Sequence, residues 1–431
     1  MGRYGEEVAS LATPVSHAGD LDPLLDRIGN ARVVMLGEAS HGTHEFHASR
    51  AALTRRLIEE RGFSFVAVEG DWPDCERVDR SVRRLAGAPD DPRAALTAFS
   101  RWPAWMWANE EVTDFCRWLR EHNATTARPV GFHGLDVYSL WESLREILLY
   151  LREHDPDQVP GALAAYRCFE PYGEDPQRYA WATRFVSASC ETEVIRLLVA
   201  LRDDAPSLSV WQNAEVVAGA EHYYRAMVHG GAKSWNVRDR HMDETLARLL
   251  RYYDGRYHDE RDGGGSKAVV WAHNTHVGDS RATDQARHGE VTIGELARDR
   301  YGPENVVLVG FGTHRGTVVA ARSWGAPMEV MAVPEPRPDS LEDVLHAAAP
   351  QRALMIFPPY RYRPDVLVDE LAHRAIGVVY RPERDRLGNY VPTVLGDRYD
   401  AFLWFDETRA VRPLHTRTVD VLEPETYPTG V

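Results

Sequence analysis

The chain has 431 residues, 44% apolar and 27% charged, a globular composition long enough for a large core without disulfide or metal staples. Fifty basic against 65 acidic side chains leave a formal charge of −15, which repels phosphate backbones and anionic lipid headgroups and sets nucleic acid and membrane surfaces aside as partners. The four cysteines, Cys75, Cys116, Cys168 and Cys190, form no CxxC pair, no secretion signal opens the chain, and no apolar run approaches the ~18 residues of a membrane span. Reduced thiols in a cytoplasmic protein are therefore expected.

In chain order, short β-branched runs predict strands at Val33–Leu36, Phe65–Val68, Pro129–Phe132, Ala268–Ala272, Val306–Phe311, Val318–Ala321, Ala353–Phe357, Gly377–Tyr380 and Phe402–Phe405. Several are continuously apolar, as strands covered on both faces should be. The expected fold is α/β, a central, mostly parallel sheet flanked by helices in a single domain spanning the chain. Residues 139–261, rich in Leu, Ala, Arg and Glu at helical spacing, read as a helical insertion over the carboxyl edge of the strands. The run Asp262-Gly263-Gly264-Gly265-Ser266 reads as its flexible return. Twelve tryptophans suit either ordinary packing or an aromatic-lined cavity.

Ionisable side chains gather where these strands end. The first is followed by Glu38 and His41, the second by Glu69, the third by His133 and Asp136, the fourth by His273 and His276, and the fifth by Thr313 and His314. In an open parallel sheet that edge binds ligands, because the connecting loops part there. The helix after the first strand carries an apolar stripe, Phe46, Leu53 and Leu57, interrupted at Arg50. A guanidinium there needs a carboxylate, with Glu38 and Glu69 the nearest candidates, or it must snorkel along the helix flank. His41 lies in the turn before that helix, where the helix N-terminus disfavours its charged form and suits it to act as a base. His44 and His47 lie on the helix itself and read as supporting or surface residues.

The HxxH spacing of His273 and His276 is a weak metal signal, lacking the glutamate and helical i, i+4 pair of zincins. No GxSxG elbow occurs, Asp262–Lys267 lacks phosphate-loop spacing, and no cysteine has a base at recognisable distance. A base histidine, two carboxylates, an arginine and two further histidines suit activation of water and stabilisation of an oxyanion.

The segments LGEASHGTHEF, FVAVEGDWPD, WPAWMWANEEVTDFCRWLR, GFHGLDVYSL, WNVRDRHMDETL, VVWAHNTHVGD and AIGVVYRPERDRLGNY together resemble the erythromycin esterase family, from about Val33 to Thr408. That family includes succinoglycan-biosynthesis-like members and others fused to a phosphoribosyltransferase domain, and GLDVYSLWESL with the Cys168–Pro176 stretch looks closest to the latter branch. The resemblance implies a metal-independent hydrolase without cofactor that opens the macrolactone of macrolide antibiotics by attack of water. It implies His41 as general base, Glu38 and Glu69 as its tuning carboxylates, and Arg50 as the site arginine. His273 and His276 would then contact substrate or leaving group. Trp105, Trp107, His133, Asp136 and His314 are expected to bind substrate, with Trp102 beside them. The expected partner is a small molecule, neutral or cationic given the negative chain. Two other readings stay open: a metal-dependent hydrolase or peptidase using the same side chains as ligands, and a lyase or ligand-binding module on the same fold. The oligomeric state is left open.

Overall fold

In a computed structural model, residues 3–415 are described except 174–175, 186–188, 204–206, 229 and 258–264. Eleven strands occur among them: β1 Ala12–Pro14, β2 Val33–Leu36, β3 Phe65–Asp71, β4 Gly131–Asp136, β5 Ala268–Trp271, β6 Val306–Ala321, β7 Met328–Val333, β8 Arg352–Ile356, β9 Glu370–Arg374, β10 Tyr390–Val394 and β11 Ala401–Thr408. Nine form one sheet in the order β1-β8-β11-β6-β2-β5-β3-β4, with β7 on the far part of β6. The block β11-β6-β2-β5-β3-β4 is parallel throughout, while β1, β7 and β8 pair antiparallel. Strands β9 and β10 make a separate antiparallel pair.

The alternation of side chains along each strand divides the core in two. Val34, Leu36, Val66, Val68, Val269 and Trp271 point to the face covered by the helices His44–Arg61 and Glu110–Asn123. Val33, Met35, Phe65, Ala67 and Val270 point to the other face, against Met242, Leu246, Leu249 and Leu250 of the helix Ala232–Tyr257. Strands apolar at every position are buried on both sides, as the expected α/β fold requires.

Three features depart from the sequence reading. The runs Val306–Phe311 and Val318–Ala321 are parts of one strand, β6. It continues through Gly316, at φ 143°, where a Cβ would sit 1.9 Å from the carbonyl oxygen of Thr408. The Gly377–Tyr380 run contributes only an isolated bridge, Val379 to Ala321. Among the described residues, only helices and 3-10 turns lie between β4 and β5, but they serve two purposes. Those from Leu140–His154 to Leu208–Met227 share a core of their own, including Leu144, Phe169, Tyr179 and Tyr224, whereas Ala232–Tyr257 covers the sheet. Asp262, Gly263 and Gly264 of the expected return lie outside the described residues, as do Glu174 and Asp175.

The thiol expectation needs correction. Cys75 and Cys116 are free and buried, but Cys168 and Cys190 are joined in a disulfide, with Cα atoms 5.8 Å apart. Their spacing in the chain concealed the pairing; the end of the helix Val159–Phe169 meets the start of Glu191–Asp203 only in the folded insertion. Among the described residues, no helix is long and apolar enough to cross a membrane.

Candidate active site

A cavity of about 290 Å³ opens over the carboxyl ends of β4, β3, β5 and β2, the size range of a small-molecule site. His41, Glu69, Asp136, His273 and His276 reach its wall from these strand ends, together with Trp102, Trp107, Tyr138, Trp235 and Arg238.

The loop bearing His41 is held on both sides. Gly42 O accepts from Val319 N at 3.1 Å and from Val411 N at 3.0 Å, and a Cβ on Gly42 would lie 2.0 Å from Val319 O. His41 Nδ1 meets Glu38 Oε1 at 2.8 Å, and Arg50 Nη2 lies 2.5 Å from Glu38 Oε2. Arg50 is fully buried, so it pairs rather than snorkels, and its guanidinium lies over the rings of Trp271 and Trp107. Burial pushes the Glu38 carboxyl up, but Arg50 and the His41 hydrogen bond outweigh it and hold the group down to about 2. An ionised Glu38 accepts the Nδ1 proton of His41, leaving Nε2 as the basic nitrogen. Behind them His47 Nε2 donates to His41 O at 3.1 Å, while Nδ1 accepts from Arg50 Nη2 at 3.0 Å. Burial, reinforced by Arg50, lowers the His47 imidazole to about 4.

Glu69 is turned inward where the β3–β4 register slips between Val68 and Asp71. Its Oε1 accepts from Arg238 Nη2 at 2.7 Å and its Oε2 from His273 N at 2.8 Å. Despite burial, His276 and Arg238 hold its carboxyl well below the usual range. Arg238 also donates to both oxygens of Asp136, at 2.9 and 2.7 Å.

The two histidines after β5 are shifted in opposite directions. His273 caps the short helix Asn274–Val277, its Nδ1 accepting from Thr275 N at 3.3 Å, which places the ring proton on Nε2. That Nε2 is buried without a hydrogen-bond partner, the ring lies on the cavity wall, and its centroid is 4.8 Å from that of His41. Burial and then the His41 ring lower its pKa to about 3, so it is a neutral N–H donor near pH 7. His276 instead donates Nδ1–H to Asp239 at 3.0 Å and stacks on Trp235 at 4.3 Å. Burial opposes its charge, but Asp239 and Glu69 prevail and raise its pKa. In the neutral form its Nε2 accepts from Arg238 Nη1 at 3.1 Å; protonated, it faces Glu69 Oε1 at 3.5 Å.

Three residues expected at the substrate are elsewhere. The strand holding His133 runs on to Asp136, so His133 is internal to β4; it stacks on Trp72 and bonds Tyr253 Oη at 2.9 Å. His314 lies within β6 for the same reason, away from the cavity, beside His346. Trp105 packs in the core, whereas Trp102 and Trp107 face the cavity. Arg238, Asp239 and Trp235 were not singled out. The stripe Trp235, Asp239, Met242, Leu246, Leu249 and Tyr253 carried the same signal as Arg50, a charge at an apolar position.

The erythromycin esterase family profile matches residues 58–408, most of the chain. The chain belongs to the erythromycin esterase family. The type II erythromycin esterase of Escherichia coli is 32% identical over 124 residues, 29% of this chain and 28% of that protein. A putative hydrolase of Bacillus subtilis (strain 168) is 23% identical over 143 residues, 32% of this chain and 30% of that one. Each alignment thus spans less than a third of the curated relative. A crystal structure described as a succinoglycan biosynthesis protein superposes with a TM-score of 0.76 at 20% identity, covering 94% of this chain and 97% of that one. An erythromycin esterase mutant in its open conformation gives 0.65 at 18% identity, covering 91% and 95%. These likenesses establish an erythromycin-esterase-like fold, and membership of the family supports a hydrolase of this type.

Proposed function

We propose that the protein hydrolyses an ester or lactone of a small molecule by direct, general-base attack of water, with no metal in the reacting set. The observation that carries this reading is the His41 imidazole: Nδ1 is tied to an ionised Glu38 backed by Arg50, and the ring faces the cavity beside the unpartnered Nε2–H of His273. Water adds to the carbonyl carbon as its proton passes to His41 Nε2, and Glu38 stabilises the imidazolium that forms. The carbonyl oxygen becomes an oxyanion and accepts from His273 Nε2–H. As the tetrahedral intermediate collapses, the C–O bond to the alcohol breaks and His276 supplies the departing alkoxide with a proton. Arg238 and Asp239 position His276, and Arg50 acts through Glu38 without touching substrate.

A neutral or cationic substrate is favoured by acidic groups on the cavity wall. Glu290 has a buried Oε1 without a hydrogen-bond partner, and Asp284 faces the same space. Burial pushes the Glu290 carboxyl up to about 7, so a substrate donor there would restore its lost solvation.

The test is a panel of aryl esters, lactones and macrolides assayed with wild type and His41→Asn, in oxygen-18 water and with chelator. The expected result is turnover that places one label in the new carboxylate, resists chelation and is lost in a folded His41→Asn. Label-free product would indicate elimination, and full activity of the variant would remove His41 from the mechanism.

A further inference from the structure

Among the described residues, one group of three metal-ligating side chains brings a donor atom from each within 4.8 Å of the others: His314, His346 and Asp406. None of them lines the active cavity. The arrangement comes from register. β11 runs parallel to β6 with Phe405 opposite Thr313 and Glu407 opposite Arg315, which sets Asp406 beside His314. His346 comes from the last turn of the helix Leu341–Ala348, and the chain beyond that helix is tied to the strand where Asp406 N donates to Gln351 O at 2.7 Å.

Without a further ligand this cluster is poorly satisfied. His314 is nearly buried, and its Nδ1 has no hydrogen-bond partner, an omission that costs roughly 1–3 kcal/mol for a desolvated polar group. The His314 and His346 rings lie face to face, 3.6 Å between centroids and 2° from parallel, an arrangement aromatic rings avoid in favour of offset or edge-on contact. Asp406 Oδ1 meets His346 Nδ1 at 2.5 Å, so the carboxylate is already within reach of that ring.

We propose that His314, His346 and Asp406 form a binding site for a divalent transition-metal ion of the zinc(II) class, separate from the active cavity. Two imidazoles and one carboxylate are the donors that zinc takes, whereas calcium and magnesium favour all-oxygen sets. Water completes the coordination, and the ion enters from the surface recess that Asp406 lines with Gln351 and Arg352. Binding requires His346 to tilt out of the stack; its side chain is 45% exposed, while His314 is fixed by burial. The ion then clamps β6, β11 and the helix Leu341–Ala348 together, and by linkage it stabilises the folded chain.

The experiment uses the full chain without a histidine tag, freed of metal by chelator and titrated with zinc chloride by calorimetry. His346→Ala and Asp406→Asn are titrated beside it, and thermal unfolding is followed with and without saturating zinc. His346 is exposed, so its variant folds, which circular dichroism verifies. The expected result is one zinc ion per chain, bound roughly tenfold or more weakly by either variant, with a zinc-dependent rise in Tm in the wild type that both variants lack. Ester hydrolysis by His346→Ala stays at the wild-type level. No zinc binding, or equal binding and an equal Tm rise in wild type and variants, would overturn the proposal.

Discussion

Replacing Glu38 by Gln keeps the shape of the site and removes one charge. Arg50, fully buried, then loses its 2.5 Å partner. At an effective dielectric constant of about 20 the direct attraction at that distance is about 7 kcal/mol, part of which is spent on desolvating both groups. The hold on the Glu38 carboxyl, from 4.5 to about 2 in spite of burial, corresponds to roughly 3 kcal/mol. Both lines agree with the ~3–5 kcal/mol usual when one partner of a buried pair is removed. Glu38→Gln is therefore expected to lose about 3–5 kcal/mol of stability in denaturant unfolding. Activity falls for a separate reason: the amide can donate to His41 Nδ1, placing the ring proton on Nε2 and removing the base. The corresponding change behind a serine-protease histidine costs about 10⁴ in kcat, and a loss of ~10²–10⁴ is expected here. The double variant Glu38→Gln/Arg50→Met separates the two effects, because it leaves no unpaired charge: most of the stability returns, and activity does not. Stability losses that simply add in the double variant would refute the pairing, and restored turnover would refute the tautomer argument.

Three further outcomes follow from the same geometry. His273→Ala removes the neutral Nε2–H donor and is expected to lower kcat by about 10²–10³ with KM little changed; a change confined to KM would make His273 a ground-state binding residue. Asp239→Asn removes the carboxylate that most favours the His276 charge, so the alkaline limb of the kcat profile moves to lower pH; an unmoved limb would exclude His276 as the acid. Stability should change little between pH 6.5 and about 4.5 and then fall steeply, as followed by urea unfolding. His47, His241 and His273, lowered from 6.5 to about 4, 3 and 3, favour the folded state above 6.5, and that contribution is lost as pH falls. Asp74, Glu76 and Glu290, raised to about 7, contribute most below 3.8–4.5 and lose that contribution as pH rises, so the two sets oppose each other in between. Below 4.5, Glu38 and Glu111, both held down to about 2, add their loss to that of the histidines. A steep decline already complete at pH 5.5 would contradict these assignments.

Much of the candidate site was legible because burial leaves a mark on local pattern. Arg50 interrupts an apolar stripe, and Glu38, Glu69, Asp136, His273 and His276 stand at or just past the ends of apolar runs; the folded sheet brings the first two together with His41 and arrays the rest around one cavity. His133 and His314 failed for one reason. Their strands continue beyond the last β-branched residue, because pairing with β3 and β11 extends them, and hydrophobic runs do not record how far a neighbour's ladder reaches. Cys168–Cys190 was likewise invisible, since the meeting of two helix ends depends on packing within the insertion.

The sequence by itself determined the α/β architecture, the order of its parallel strands' chemistry-bearing ends and the need to pair Arg50, because periodicity and burial cost act over a few residues. Tertiary structure alone decided that Arg238 binds Glu69 and Asp136, 169 and 102 residues away. It also decided that burial and the His41 ring lower the pKa of His273 while Asp239 and Glu69 raise that of His276. Protonation and partner choice depend on which distant groups share a low-dielectric space, and only the folded sheet and its covering helix bring those groups together.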